Sequence, residues 1–248
     1  IEEYLSFLES YRKDGRLYTN REEGKARKLS SLKSFYDYYY KKGLIKSNPT
    51  RMVDVPKIKE KNIIRLDPDE IAKLLDTAES GEKLTNRQLI YHERTQIRDV
   101  ALLTLLLGTG IRVSECVGLD ITDVDLSNNA IRVIRKGGNA DEVYFGEDVE
   151  DTLQDYIKHG RPVLLHKLPD SEKDKQDALF VSWSGKRLSV RSVQDLIKKY
   201  GDKAGISAEK HLSPHKFRKT FGTVVLEETG DIAAVAEALG HSSIETTK

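Results

Sequence analysis

Gly108-Thr109-Gly110-Ile111-Arg112-Val113-Ser114-Glu115 closes a long apolar run with two glycines and sets an arginine at the head of the next segment. Upstream, Ile97 to Leu107 is nearly all apolar and reads as a helix buried on every side. Gly108 and Gly110 break it, and Val113 to Leu119 resumes as a further helical turn or two. The Arg112 guanidinium would then lie beside helix N-terminal amides, and both favour a phosphate. A plain pairing of Arg112 with Glu115 accounts for the arginine equally well.

Downstream, three further groups carry candidate chemistry. Strand-like alternation over Ala130 to Arg135 and Glu142 to Phe145 is joined by Lys136-Gly137-Gly138-Asn139, which puts Lys136 at a hairpin tip. His215-Lys216-Phe217-Arg218 follows Pro214 at a helix start, and positions 215 and 218 share a face. An imidazole beside a guanidinium suits phosphoryl chemistry, with arginine on the non-bridging oxygens and histidine handling a proton. Leu239-Gly240-His241-Ser242-Ser243 places His241 in a turn, and Ser242-Ser243-Ile244-Glu245 is a capping pattern for a last helix. Taken singly, each has an ordinary alternative: a solvated hairpin lysine, a basic helix start, an exposed turn histidine.

Around these groups, residues 65–248 read as helices with a small sheet. Asp67-Pro68-Asp69-Glu70 is a helix start, followed by core-facing Ile71, Leu74 and Leu75. Asp151 to His159, Val190 to Tyr200, Pro214 to Glu227 and Ile232 to Leu239 read as helices, with Ser189, Ser213 and Asp231 as N-caps and Gly240 as a stop. Leu179 to Val181 reads as a third strand. Residues 1–54 read as all-helical: Glu2 to Arg12, then Arg21 to Lys42 with Leu29, Leu32, Tyr36 and Tyr39 on one face, ended by Gly43. Residues 55–64 form a basic, proline-containing linker. The fold class is therefore mainly α with a small antiparallel β-sheet (α+β), in two domains, 1–54 and 65–248.

Net charge is only +1, but it is unevenly spread. Residues 1–64 hold 15 Lys and Arg against 9 Asp and Glu, and the rest of the chain holds 26 against 31. Local basic surface, not whole-chain charge, governs phosphate binding. No run of apolar residues is long enough to span a membrane. The single cysteine, Cys116, excludes an internal disulfide and fits a reducing compartment.

In their order, G-T-G-I-R-V-S-E, strand–K-G-G–strand, S-P-H-K-F-R-K-T and L-G-H-S-S, the blocks resemble the tyrosine recombinase or phage integrase family, and the resemblance covers essentially the whole chain. It implies a helical core-type DNA-binding domain followed by a catalytic domain. It implies that Arg112 and Arg218 hold the scissile phosphate and that His215 and His241 complete the site. Lys136 would protonate the leaving 5′-oxygen, with Arg135 as its competitor, and Glu115 would orient Arg112. Arg27, Lys28, Lys33, Lys41 and Lys42 in the first module and Lys57 and Lys59 in the linker are the expected DNA contacts. The attacking group would be a tyrosine two positions beyond Lys248, so the chain is expected to lack its nucleophile and to bind DNA without cleaving it. An N-terminal piece is likewise expected to precede Ile1. Partners would be double-stranded DNA and further protomers in a tetrameric synapse, in the bacterial cytoplasm or nucleoid, with no metal or other cofactor.

Other classes predict different behaviour. A type IB topoisomerase shares this chemistry without pairing two sites. A non-catalytic DNA-binding regulator would tolerate loss of Arg112 or Arg218. A metal-dependent nuclease could use Asp120, Asp123 and Asp125, although those residues read better as caps of a loop before a strand. His211 and His215 lack nearby partners for a zinc site.

Overall fold

A computed structural model describes residues 1–57, 65–135, 137–166, 168–173, 176–206, 210–240 and 247. Two compact units divide the chain, Ile1–Asn62 and Ile63–Lys248. Among the described residues no helix is long and apolar enough to cross a membrane.

The first unit is not all-helical. Helix α1, Glu2–Glu9, gives way to an antiparallel hairpin of β1, Ser10–Lys13, and β2, Arg16–Thr19. Asp14 and Gly15 form the two-residue turn with φ of 50° and 73°, the left-handed pair a tight hairpin needs. The helix read through Arg12 therefore stops at Glu9, because the Asp-Gly turn pairs Tyr11 with Tyr18. Phe7, Tyr11 and Tyr18 stack in series, with ring centroids 5.0 and 5.4 Å apart. Helix α2, Glu22–Lys41, buries Leu29 fully and half-buries Leu32, Tyr36 and Tyr39. Gly43 at φ 69° ends it, and Leu44 N–H donates to Tyr39 O as in a Schellman close.

The second unit is built on a long central helix. α3, Pro68–Ser80, opens with Asp67 N–H donating to the Glu70 carboxylate at 2.9 Å. α4, Asn86–Thr109, starts earlier than the apolar run suggests, because Thr85 and Gln88 cap it reciprocally. It packs against α3 and, further along the chain, against α6, Glu147–Asp155, and α10, Pro214–Thr229. Leu102, Leu103, Leu105 and Leu106 are buried on its successive faces. Burial of such a side chain contributes about 1.5–3 kcal/mol before entropy.

After α4 come α5, Val113–Gly118, and a three-stranded sheet of β3, Val124–Asp125, β4, Ala130–Ile134, and β5, Ala140–Tyr144, in the order β3-β4-β5. The third strand is thus β3 and not Leu179–Val181; there, Ala178 and Val181 make only isolated bridges to Asp120 and Arg187. From α6 a π-helical turn, Tyr156–Gly160, leads into α7, Arg161–Leu165, and then α8, Asp170–Lys173. α9, Val190–Lys203, is capped by Ser189, and α11, Ile232–Ala238, by Asp231. Ser213 stands at the N-cap position of α10, but its hydroxyl makes no capping bond.

Candidate active site

Arg112 is the N-cap residue of α5. Gly110 turns the chain toward it at φ 59°, and a Cβ there would meet the Phe221 ring of α10 at 2.4 Å. Glycine is thus required both by the turn and by the close approach of α10. The Arg112 backbone N–H donates to Glu115 Oε2 at 2.7 Å, and its Nη1 donates to Oε1 at 2.8 Å. The Arg112 side chain keeps 34% of its surface open, whereas that of Glu115 keeps 4%. A buried carboxylate thus fixes an arginine whose remaining surface faces outward. The Arg112–Glu115 pairing and the phosphate role are compatible.

Arg218 comes to the same place from α10. Its Nη1 donates to Gly110 O at 2.6 Å, and its Nη2 donates to Leu239 O. Burial first, then the charges of Arg112 and Arg135, push its guanidinium down to about 10, with Glu115 opposing. It remains a cation at neutral pH. His215, one turn earlier, is exposed where Arg218 is buried. Partial desolvation of its ring, and then Lys219, Arg218 and Lys216, hold His215 below the ordinary 6.5. At pH 7 the ring is neutral and offers one N–H donor.

Sequence reasoning underrated Arg135. It lies just past β4, is largely buried, and gives Nη1 to Glu115 Oε2 at 3.1 Å and Nε to Asp141 Oδ2 at 2.9 Å. Arg187 went unnoticed. Its Nη1 donates to the carbonyls of Val117, Gly118 and Leu119, each at 3.0 Å, closing the C-terminal end of α5. No spacing or motif marked it. Lys136 and His241 lie outside the described residues.

Asp120, Asp123 and Asp125 are engaged locally. Asp120 pairs with Arg187, Asp123 accepts from Asp120 N–H at 2.9 Å, and Asp125 accepts from Ser127 and Asn128. Among the described residues no three His, Cys, Asp or Glu side chains group as a metal site. On the first unit, Arg27, Lys41 and Lys42 are exposed, as is Lys57 beyond them; Lys33 is half-buried. Lys28 donates to Asn20 Oδ1, and Lys59 lies outside the described residues. Buried Lys25 instead pairs with Glu9 and Glu22 at 2.8 and 2.7 Å.

Tyrosine recombinase XerC of Vibrio cholerae serotype O1 (strain ATCC 39541) is 37% identical over 223 residues, which are 90% of this chain and 65% of that protein. The chain thus spans slightly less than two thirds of that relative. Tyrosine recombinase XerC of Lactobacillus leichmannii is 33% identical over 223 residues, 90% of this chain and 70% of that one. The crystal structure of XerA recombinase aligns with a TM-score of 0.58 at 28% identity, covering 99% of this chain and 74% of that one. XerH bound to its difH substrate shares the fold, with a TM-score of 0.67 at 21% identity over 99% of this chain and 64% of that one. The signature of the phage integrase family matches residues 64–248, the unit that brings Arg112, Glu115 and Arg218 together, and the chain belongs to that family.

Proposed function

We propose that the second unit carries the strand-cleaving and rejoining site of a tyrosine-type, site-specific DNA recombinase. A tyrosine phenolate attacks the scissile phosphorus, the bond to the 5′-oxygen breaks, and a 3′-phosphotyrosyl link holds the strand. A 5′-hydroxyl from a partner strand then attacks that link and frees the tyrosine. One phosphodiester replaces another, so the bond energy is retained. Arg112 and Arg218 take the non-bridging oxygens, His215 and His241 donate to the developing charge, and Lys136 protonates the leaving oxygen.

The observation that carries this reading is the convergence of Arg112 and Arg218, from separate elements, beside one buried carboxylate. Donors held in place before the substrate arrives need no reorganisation in the transition state. Among the described residues, the second unit's four tyrosines have partners other than Arg112, Glu115 and Arg218. Tyr91 packs on Trp183, Tyr144 donates to Glu142, Tyr156 donates to Leu179 O, and Tyr200 donates to Asp99. In this proposal none of these four is the attacking tyrosine, and residues 1–248 alone bind DNA without forming an adduct. Basic residues of the first unit hold the duplex backbone, and protomers pair two DNA sites as a tetramer. The DNA in the XerH structure supports this choice of partner.

Covalent trapping on nicked DNA carrying the element's own site is the test. The full-length protein is expected to give a protease-sensitive 3′-linked adduct, while residues 1–248 and full-length Arg218→Ala give none. Duplex binding with no adduct from the full-length protein would favour the regulator reading. Relaxation of supercoils at sites of any sequence would favour a topoisomerase.

A further inference from the structure

We infer that Arg135 is a positioning residue of the cleavage site: its guanidinium ties the acidic partner of Arg112 to the β4–β5 hairpin and to the Leu239–Gly240 turn. This assignment rests on the recombinase reading. The three segments it touches carry or border three of the candidate catalytic positions, 112, 136 and 241. Toward α5, Nη1 shares Glu115 Oε2 with the backbone N–H of Arg112. Within the hairpin, Nε donates to Asp141 on β5, and the Arg135 backbone closes the loop by donating to Asn139 O at 2.8 Å and accepting from Gly138 N–H at 3.0 Å. That loop contains position 136. Toward α11, a Cβ on Gly240 would lie 2.6 Å from Arg135 Nε and 2.7 Å from Cζ, so the turn before position 241 rests directly on the guanidinium. The same turn supplies Leu239 O to Arg218.

The chemistry of the side chain fits this work better than proton transfer. A guanidinium is a planar fork that can serve two carboxylates from different nitrogens, which an ammonium at one point cannot do. A guanidinium also holds its proton more firmly than an ammonium does, which makes it the poorer donor to a leaving alkoxide. Its contacts to Glu115 and Asp141 already occupy two of its three nitrogens. Arg135 thus acts through Glu115 and the hairpin.

The test uses the full-length protein on a nicked duplex carrying its site, with single-turnover adduct formation at saturating DNA measured apart from duplex affinity. Arg135→Ala is expected to slow the adduct step by about tenfold to hundredfold, the scale of a misplaced reacting group. Affinity stays within about twofold, and the slope of log K against log salt is unchanged, because no phosphate contact is lost. Arg135→Lys, which keeps the charge but not the fork, recovers part of the rate. In a Glu115→Gln background, Arg135→Ala costs less than about threefold, the non-additivity of residues that act together. An unchanged adduct rate in Arg135→Ala overturns the assignment. So does full additivity with Glu115→Gln, or weaker binding with a salt slope reduced by about one, which would make Arg135 a phosphate contact. If the wild type binds DNA but forms no adduct, the recombinase reading itself falls and the assignment falls with it.

Discussion

Arg218 donates from Nη1 to the carbonyl oxygen of Gly110 at 2.6 Å, so the helix bearing the second arginine is hydrogen-bonded to the turn that presents the first. Its Nη2 takes the carbonyl of Leu239 at the end of α11. Both oxygens lie at helix ends, where no intrahelical donor reaches them. One side chain therefore does structural and electrostatic work together.

Arg218→Ala should then fail in two ways. Two buried carbonyls lose their donor, which costs about 1–3 kcal/mol in urea unfolding of residues 1–248. Adduct formation by the full-length protein should fall at least about a hundredfold, the scale of losing one transition-state donor. Arg218→Lys keeps a charge but donates from one point, and should regain more stability than rate. Arg218→Lys with a wild-type rate would remove the guanidinium from the chemistry.

His215 sets a pH dependence. Desolvation, and then Lys219, Arg218 and Lys216, hold its ring below 6.5. If the neutral ring acts, adduct formation should decline on acidification with a midpoint below 6.5, and His215→Gln should lack that limb. Stability follows the same sign. Below 6.5 the unfolded chain takes up a proton that the folded protein still resists, so stability falls as the pH is lowered through that window. Urea titrations of wild type and His215→Gln across pH 5 to 7, roughly the range where imidazoles titrate, would show it as a difference in slope.

Tyr200 is a structural tyrosine. Its hydroxyl donates to Asp99 Oδ2 at 2.8 Å and meets His92 Nδ1 at 3.2 Å, inside the protein. Burial and then Asp99 push its phenol well up, away from phenolate. Tyr200→Phe should cost about 1–3 kcal/mol of stability by leaving buried Asp99 short of a donor. The adduct rate of the folded full-length variant should not change. A folded Tyr200→Phe protein without adduct would make this residue the nucleophile.

On the first unit, charge and fold separate by residue. Lys41 and Lys42 are exposed, so replacing either with Ala should reduce the slope of log K against log salt by about 0.9 per lost phosphate contact. Lys25 is buried between Glu9 and Glu22, so Lys25→Ala should lower the melting temperature and leave that slope alone. The reverse pattern would relocate the DNA-binding face.

Much of this was legible in the residues. The Gly110 stop before Arg112, the reciprocal Asp67–Glu70 start and the Gly43 and Gly240 stops are local chemistry, and each stands where it was read, whereas Gly108, read as part of the same break, lies inside α4, which runs to Thr109. What was missed depends on distance or on competing local signals. The helix read from Glu2 to Arg12 overran the Asp14-Gly15 turn, which is the stronger short-range signal. β3 has two residues, too few for alternation to show. Arg135 looked like a strand residue by alternation, but β4 ends at Ile134, and the side chain turns inward to Glu115, a partner 20 positions away. Arg187 serves carbonyls about 70 positions earlier, and no local pattern encodes that.

The central claim, that Arg112 and Arg218 neutralise the scissile phosphate, is tested most directly by taking the charge away from the DNA. A methylphosphonate at the cleavage position replaces one charged oxygen with a neutral methyl group. The full-length Arg218→Ala and Arg112→Ala proteins should form adduct on it within about tenfold of wild type, although they lose about a hundredfold or more on natural DNA. A methylphosphonate one position away should rescue neither. If both variants stay as slow on the neutral linkage as on the charged one, the two arginines do not hold the reacting phosphate, and the proposed site is wrong.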